Sequence, residues 1–193
     1  PDIENTSDLV EKVDQVLSSG IQYIQYRNKS IAHEQRVNQA CAIKKQCQRY
    51  GAKLIINDHL DIALAVNADG LHVGKVDVSI QTARTYLGKH KMIGVSCYNQ
   101  IDLALAAEKE GADYVAFGAF YASKTKIDTV EANPDLLTQA KKVLQIPVVA
   151  IGGINVTNAA LLIFRGCDAI AVSDCLFNNF NIKKKKKKFK RLF

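Results

Sequence analysis

From Thr6 onward the apolar positions follow two periods in turn. Short stretches rich in β-branched and apolar residues on both faces stand at residues 22–27, 53–57, 70–74, 92–97, 114–120, 147–152 and 169–173, which is the pattern of strands buried in a parallel sheet. Between them lie segments of helical period. Leu9, Val10, Val13, Val16 and Leu17 follow Thr6-Ser7 and stop at Gly20; Leu103, Ala106 and Ala107 share a face of residues 99–110, which stop at Gly111. Residues 155–165 end at Gly166 in the same way. Strand, crossover helix and strand, repeated at roughly 20 to 30 residues, predict an α/β fold that closes into a barrel or opens into a doubly wound sheet. Seven strands are expected, because a loop and a helix occupy residues 1–20 where a first strand would stand in an eight-stranded barrel.

If the sheet is a barrel, its chemistry belongs at the carboxyl ends of the strands. The first predicted strand runs out through Gln25, Arg27 and Lys29, alternate residues that share a face and can converge on one anion. A guanidinium fork, an ammonium and an amide make a diphosphate clamp. The next strand ends at Asn57-Asp58, and the one after it leads to Asp77. Two carboxylates facing an anion clamp suit Mg²⁺, which takes one or two carboxylates together with phosphate oxygens and water. The structural alternative is that Asp58 and Asp77 cap helices starting near His59 and at Ser79. Ser123, Lys124, Thr125 and Lys126 bring two hydroxyls and two ammonium groups into one loop, and Gly152-Gly153 lets backbone N–H groups approach a phosphate before the next helix. With Ser173 ending the last strand, these features match the phosphate site that barrels build after their last two strands. His72, within a strand, reads as a packed or ligand-adjacent residue.

Composition narrows the classes. With 48% apolar and 23% charged residues the chain reads as one globular domain over residues 1–180, followed by a lysine-rich helix or tail over 181–193. The net charge of +7 resides in that tail: Lys183 to Lys188, Lys190 and Arg191 carry eight positive charges, and the rest is nearly neutral. A solvated end fits this better than a nucleic-acid face, so no specific nucleic-acid partner is expected. No apolar run approaches the roughly 20 residues that span a bilayer, and residues 1–7 have no signal-peptide character. No membrane partner and a cytoplasmic location are therefore expected, with homo-oligomerisation left open. The five cysteines form no CxxC pair and read as reduced, mostly buried residues.

The string Gln25-Tyr26-Arg27-Asn28-Lys29, the stretch from Ile55 to Asn57-Asp58, the run Ala68 to Gly74 with Asp77, then Ile93-Gly94-Val95-Ser96, Thr125-Lys126 and Val149 to Ile154 resemble the thiamine phosphate synthase family in order and spacing. The resemblance covers residues 7–177 and implies a TIM (β/α)8 barrel, here with its first strand missing. It implies the condensation of hydroxymethylpyrimidine diphosphate with a thiazole phosphate, giving thiamine phosphate and pyrophosphate with Mg²⁺ as cofactor. By position it gives Gln25, Arg27, Lys29, Asn57, Ser96 and Lys126 to the pyrimidine diphosphate, with Arg27, Lys29, Ser96 and Lys126 as the catalytic set. Asp58 and Asp77 would hold the metal. Ser123, Lys124, Thr125, Gly153, Ser173 and Asp174 would face the thiazole phosphate.

The sequence departs from the family pattern at Lys75-Val76, where Gln-Glu is usual, at Ala122-Ser123, where Pro-Thr is common, and at Ser173-Asp174. Two other readings follow from the same resemblance. One is a degenerate barrel that keeps phosphate-ester binding without turnover. The other is a thiazole tautomerase-like relative, although Ala119 stands in the region of that enzyme's histidine.

Overall fold

The computed structural model describes residues 2–122, 131–177 and 182–190. Contacts within the chain group into two compact units, residues 1–73 with 77–93 and residues 74–76 with 94–193.

In the first unit, α1 (Thr6–Ser18) leads into β1 (Tyr23–Tyr26), α2 (His33–Tyr50), β2 (Lys53–Asn57), α3 (Leu60–Ala65), β3 (Gly70–Val73) and α4 (Ile80–Leu87). The strands are parallel, with Gln25 beside Ile55 and Asn57 beside His72. Leu9, Val13, Val16 and Leu17 form the buried face of α1, as their spacing predicts. The helix is capped one residue earlier than Thr6, by the Asn5 side chain accepting from the Asp8 N–H at 3.1 Å. At its other end the Gly20 N–H bonds to the Leu17 carbonyl, with Gly20 at φ 88°. Leu54, Ile56, Ile62 and Leu71 fill the core of this unit. Among the described residues no strand precedes α1.

β4 (Met92–Tyr98) begins where the first unit ends. The second unit continues through α5 (Ile101–Lys109), β5 (Tyr114–Phe117), α6 (Asp135–Val143), β6 (Val148–Ile151), α7 (Ala159–Phe164), β7 (Ala169–Ala171), α8 (Asp174–Phe177) and α9 (Ile182–Lys190). Strands β4 to β7 pair in chain order, again parallel. Tyr114 lies across Gly94, where a Cβ would fall 2.0 Å from its ring, so only glycine fits. Helix α7 starts four residues later than the sequence pattern suggests, because side-chain bonds of Asn155 and Asn158 hold that stretch as a turn.

The lysine-rich end is helical where it is described. Ile182 and Phe189 are buried while Lys184, Lys187 and Lys188 are exposed, so the charges face solvent over an apolar seat. Lys185 donates to the Cys175 carbonyl at 3.0 Å and joins α9 to α8. No helix among the described residues is long and apolar enough to cross a membrane.

The same tie appears in both units. Asp69, just before β3, accepts from the Leu54 N–H of β2 at 2.8 Å and from Lys44 of α2 at 2.6 Å, while its own N–H donates to the Leu54 carbonyl. Asp168, just before β7, accepts from the Val148 N–H of β6 at 2.7 Å and from Lys141 of α6 at 2.9 Å, and donates to the Val148 carbonyl. One carboxylate thus joins a helix, the strand after it and the start of the next strand.

Candidate active site

The first unit has its candidate residues at or just beyond the carboxyl ends of β1, β2 and β3. Ile24, Tyr26 and Asn28 are buried while Gln25 and Lys29 are exposed and Arg27 is half-exposed, so the three clamp candidates share the face opposite the core. Arg27 lies 3.8 Å from Asp2, and Lys29 lies 3.5 Å from Asp58.

Asp58 does not cap α3: His59 takes the cap position without a side-chain bond to the helix. Nor does Asp77 cap α4, because Ser79 does so by accepting from the Thr82 N–H at 3.1 Å. Asp58 is held in the left-handed region at φ 64°, a conformation that costs a non-glycine residue about 1 kcal/mol. Its N–H is tied to the His72 carbonyl at 2.8 Å. Burial raises the Asp58 carboxyl above its ordinary value, the charge and hydrogen bond of Asp77 raise it further, and Lys29 opposes both. Two carboxylates pressed together with one ammonium beside them form a donor set that fits a divalent cation, since a cation removes their mutual repulsion. His72 is buried among them, and burial pushes it down to about 4 against the opposing charge of Asp77, so the ring is neutral at pH 7. The burial is that of a packed histidine, the first of the two readings of this strand position.

Two polar residues that the sequence pattern did not single out hold the start of the chain here. Gln39 is fully buried and donates to the Ile3 and Glu4 carbonyls while accepting from the Tyr26 hydroxyl at 2.8 Å. Asn28 donates to the Ile3 carbonyl at 3.0 Å, and its oxygen accepts from the Ser30 N–H at 3.1 Å. A lone polar residue within a helical repeat gives no sign of such a role, which depends on a partner 36 positions away.

In the second unit Ser96 lies in β4 beside Ala116 of β5, just before a register shift at Tyr98. At the end of β6, Gly152 and Gly153 take φ values of 100° and 60°, which suit glycine and little else. A Cβ on Gly153 would lie 2.4 Å from the Ala122 carbonyl oxygen and 2.6 Å from that of Tyr121. Ser173 precedes α8, its carbonyl accepting from the Leu176 and Phe177 N–H groups, and both Ser173 and Asp174 are exposed. Ser123, Lys124, Thr125 and Lys126 lie outside the described residues.

Strand, helix and parallel strand recur through both units, with the polar candidates at the carboxyl ends of the strands; this is a parallel α/β protein of the TIM-like kind. The chain belongs to the thiamine monophosphate synthase family, whose model matches residues 1–176. It is 53% identical to the thiamine-phosphate synthase of Nitrosomonas eutropha over 100% of this chain and 91% of that protein. It is 49% identical to the thiamine-phosphate synthase of Nitrosospira multiformis over 100% of this chain and 82% of that one. Among solved structures, the thiamine phosphate pyrophosphorylase of Pyrococcus furiosus superposes with a TM-score of 0.83 at 31% identity, covering 95% of this chain and 88% of the other.

Proposed function

We propose that this chain condenses hydroxymethylpyrimidine diphosphate with a thiazole phosphate to give thiamine phosphate and pyrophosphate. The observation that carries the reading is the Asp58–Asp77 carboxylate pair with Lys29 at 3.5 Å, at strand ends of a chain in the thiamine monophosphate synthase family.

Gln25, Arg27 and Lys29 bind the diphosphate, with Asn57 on the neighbouring strand. A Mg²⁺ held by Asp58 and Asp77 would neutralise charge on the diphosphate. Among the described residues no cluster of three or more His, Cys, Asp or Glu surrounds a metal position, and two carboxylates with phosphate and water are the ordinary ligands of Mg²⁺. In the reaction the carbon–oxygen bond to the diphosphate breaks, and pyrophosphate leaves with the electron pair. The thiazole nitrogen then bonds to the pyrimidine methylene carbon. Arg27 and Lys29 stabilise the departing charge without a covalent nucleophile, an electrostatic contribution that needs only preorganised cations. Ser96 and Lys126 belong to the same set by family position. Ser123, Lys124, Thr125, Gly153, Ser173 and Asp174 are assigned to the thiazole phosphate. A cytoplasmic location is part of the proposal, supported by the five free cysteines.

The test is to mix the protein with both substrates and Mg²⁺ and to follow thiamine phosphate and pyrophosphate with and without a chelator. Formation of both products, stopped by chelator, supports the reading. Binding of the substrates without product would place the chain among non-catalytic phosphate-ester binders, and tautomerisation of the thiazole without condensation would make it a tautomerase.

A further inference from the structure

In the turn between β6 and α7, the Asn158 side chain makes bonds that the proposed substrate contacts do not use. Asn158 stands at the N-cap of α7, where asparagine ordinarily accepts from the helix's own second or third N–H, yet it makes no such bond. It reaches backward instead. Its Oδ1 accepts from the Asn155 N–H at 2.8 Å, and its Nδ2 donates to the Gly153 carbonyl at 3.1 Å. Its own backbone carbonyl accepts from the Tyr121 hydroxyl at 3.1 Å, and the Tyr121 N–H donates to the Gly152 carbonyl at 3.2 Å.

Both glycine carbonyls are therefore engaged, and each engagement fixes a whole peptide plane. In a trans peptide the N–H points opposite to the C=O of the preceding residue. The Tyr121 bond to the Gly152 carbonyl thus orients the Gly153 N–H, and the Asn158 bond to the Gly153 carbonyl orients the Ile154 N–H. No hydrogen bond among the described residues uses the Gly153 N–H. Adjacent N–H groups held in fixed directions by left-handed residues form a concave donor pair suited to an anion.

We infer that Asn158, supported by Tyr121, is a positioning residue that sets the Gly153 and Ile154 amides for the phosphate of the thiazole substrate. The inference rests on the function proposed above for the identity of the ligand. It gives Asn158 a role in affinity for the phosphate group, where an ordinary cap would contribute only helix stability.

The test uses the whole chain and measures, by calorimetry, the dissociation constants of thiazole phosphate and of the same thiazole alcohol without phosphate, alongside KM for both substrates. Asn158→Ala is expected to weaken thiazole phosphate by about tenfold, the effect of losing one well-aligned amide bond to a charged phosphate once the Gly153–Ile154 peptide is no longer held, with the alcohol and the pyrimidine diphosphate unchanged. Asn158→Ser separates the roles. Serine is a good cap but too short to reach the Gly153 carbonyl, so it is expected to restore thermal stability without restoring phosphate affinity. Tyr121→Phe removes one bond from the other side of the turn and is expected to weaken the phosphate ligand severalfold; it serves where the Asn158 variants do not fold. Unchanged thiazole phosphate affinity in the folded variants overturns the inference, and so does equal loss for phosphate and alcohol, or recovery of affinity with serine. A parent chain that does not bind thiazole phosphate overturns it too. A parent chain that binds it through Asn158 yet releases no pyrophosphate leaves the inference standing and removes the proposed reaction.

Discussion

Lys29 and Asp58 meet at 3.5 Å from beyond the ends of two neighbouring parallel strands, β1 and β2. Asp58 faces opposed influences there: its own burial and Asp77 favour the neutral acid, and Lys29 favours the carboxylate. A second cation at the pair would shift that balance toward the ionised Asp58 carboxylate, the form able to act as a ligand.

If the pair holds Mg²⁺, Asp58→Ala and Asp77→Ala should each lower Mg²⁺-dependent turnover by on the order of 100-fold or more. The melting temperature should change by only a few degrees, because neither carboxylate caps a helix. Pyrophosphate release and a thermal melt read the two effects separately. Unchanged rates in both variants would remove the metal assignment.

Arg27 is the guanidinium of the proposed clamp, and its fork suits a diphosphate better than an isolated phosphate ester. Arg27→Ala should therefore weaken pyrimidine diphosphate by about tenfold or more while leaving thiazole phosphate nearly unchanged. Calorimetry with each ligand in turn decides the matter: losses of equal size would contradict the clamp.

Gly153→Ala meets two obstacles together, a backbone at φ 60° and the carbonyl oxygens of Tyr121 and Ala122 within 2.6 Å of the new methyl. A destabilisation of about 1 to 3 kcal/mol is expected, with loss of thiazole phosphate affinity. Gly51 is the control, because it too has positive φ but a Cβ there meets nothing within 4 Å. If Gly51→Ala costs as much in urea unfolding, the close approach at Gly153 contributes nothing.

Asp69 gives a pH dependence of defined sign. Burial favours its neutral form, but the Lys44 hydrogen bond, the Leu54 N–H and the charges of Lys44 and Lys53 outweigh it, so the folded carboxyl lies below its ordinary value. Its contribution to stability is therefore complete above the unfolded value, about 3.9, and disappears as pH falls through the folded one. Asp69→Asn should cost about 2 kcal/mol at pH 7, and the difference from the parent should shrink below about pH 4. Urea midpoints at pH 7 and pH 3 test this, and a gap that widens in acid would reverse the assignment.

The strand positions are legible because each strand is a short apolar run bounded by polar turns; all seven strands among the described residues overlap the predicted ones. The same alternation placed Gln25, Arg27 and Lys29 on one face, where the structure has them. Helix starts were less legible. Asn5, rather than Thr6 or Ser7, caps α1, and α7 loses four residues to a turn whose side-chain bonds have no counterpart in hydrophobic periodicity. Asp58 and Asp77 are open to two readings in the sequence, cap or ligand, and the cap reading falls only because His59 and Ser79 occupy the N-cap positions. The roles of Gln39, Asp69, Asp168 and Asn158 are not legible in the sequence, for a different reason. Each acts through backbone groups of residues distant in sequence or aimed away from its own helix, and backbone partners leave no mark on residue type.

The carboxylate ties at Asp69 and Asp168 anchor β3 and β7 at their starts, whereas Asp58, Gly153 and Ser173 stand where strands finish. On the proposed function, holding a strand in place and handling a ligand are thus tasks given to opposite ends of the same strands. The anchoring bonds of Asp69 and Asp168 involve no residue of the loops at the finishing ends, so changes there leave those bonds in place. Selection for a new substrate would then act on one end alone, and a library confined to residues after the strands should yield far more folded variants than one of equal size that includes the two aspartates.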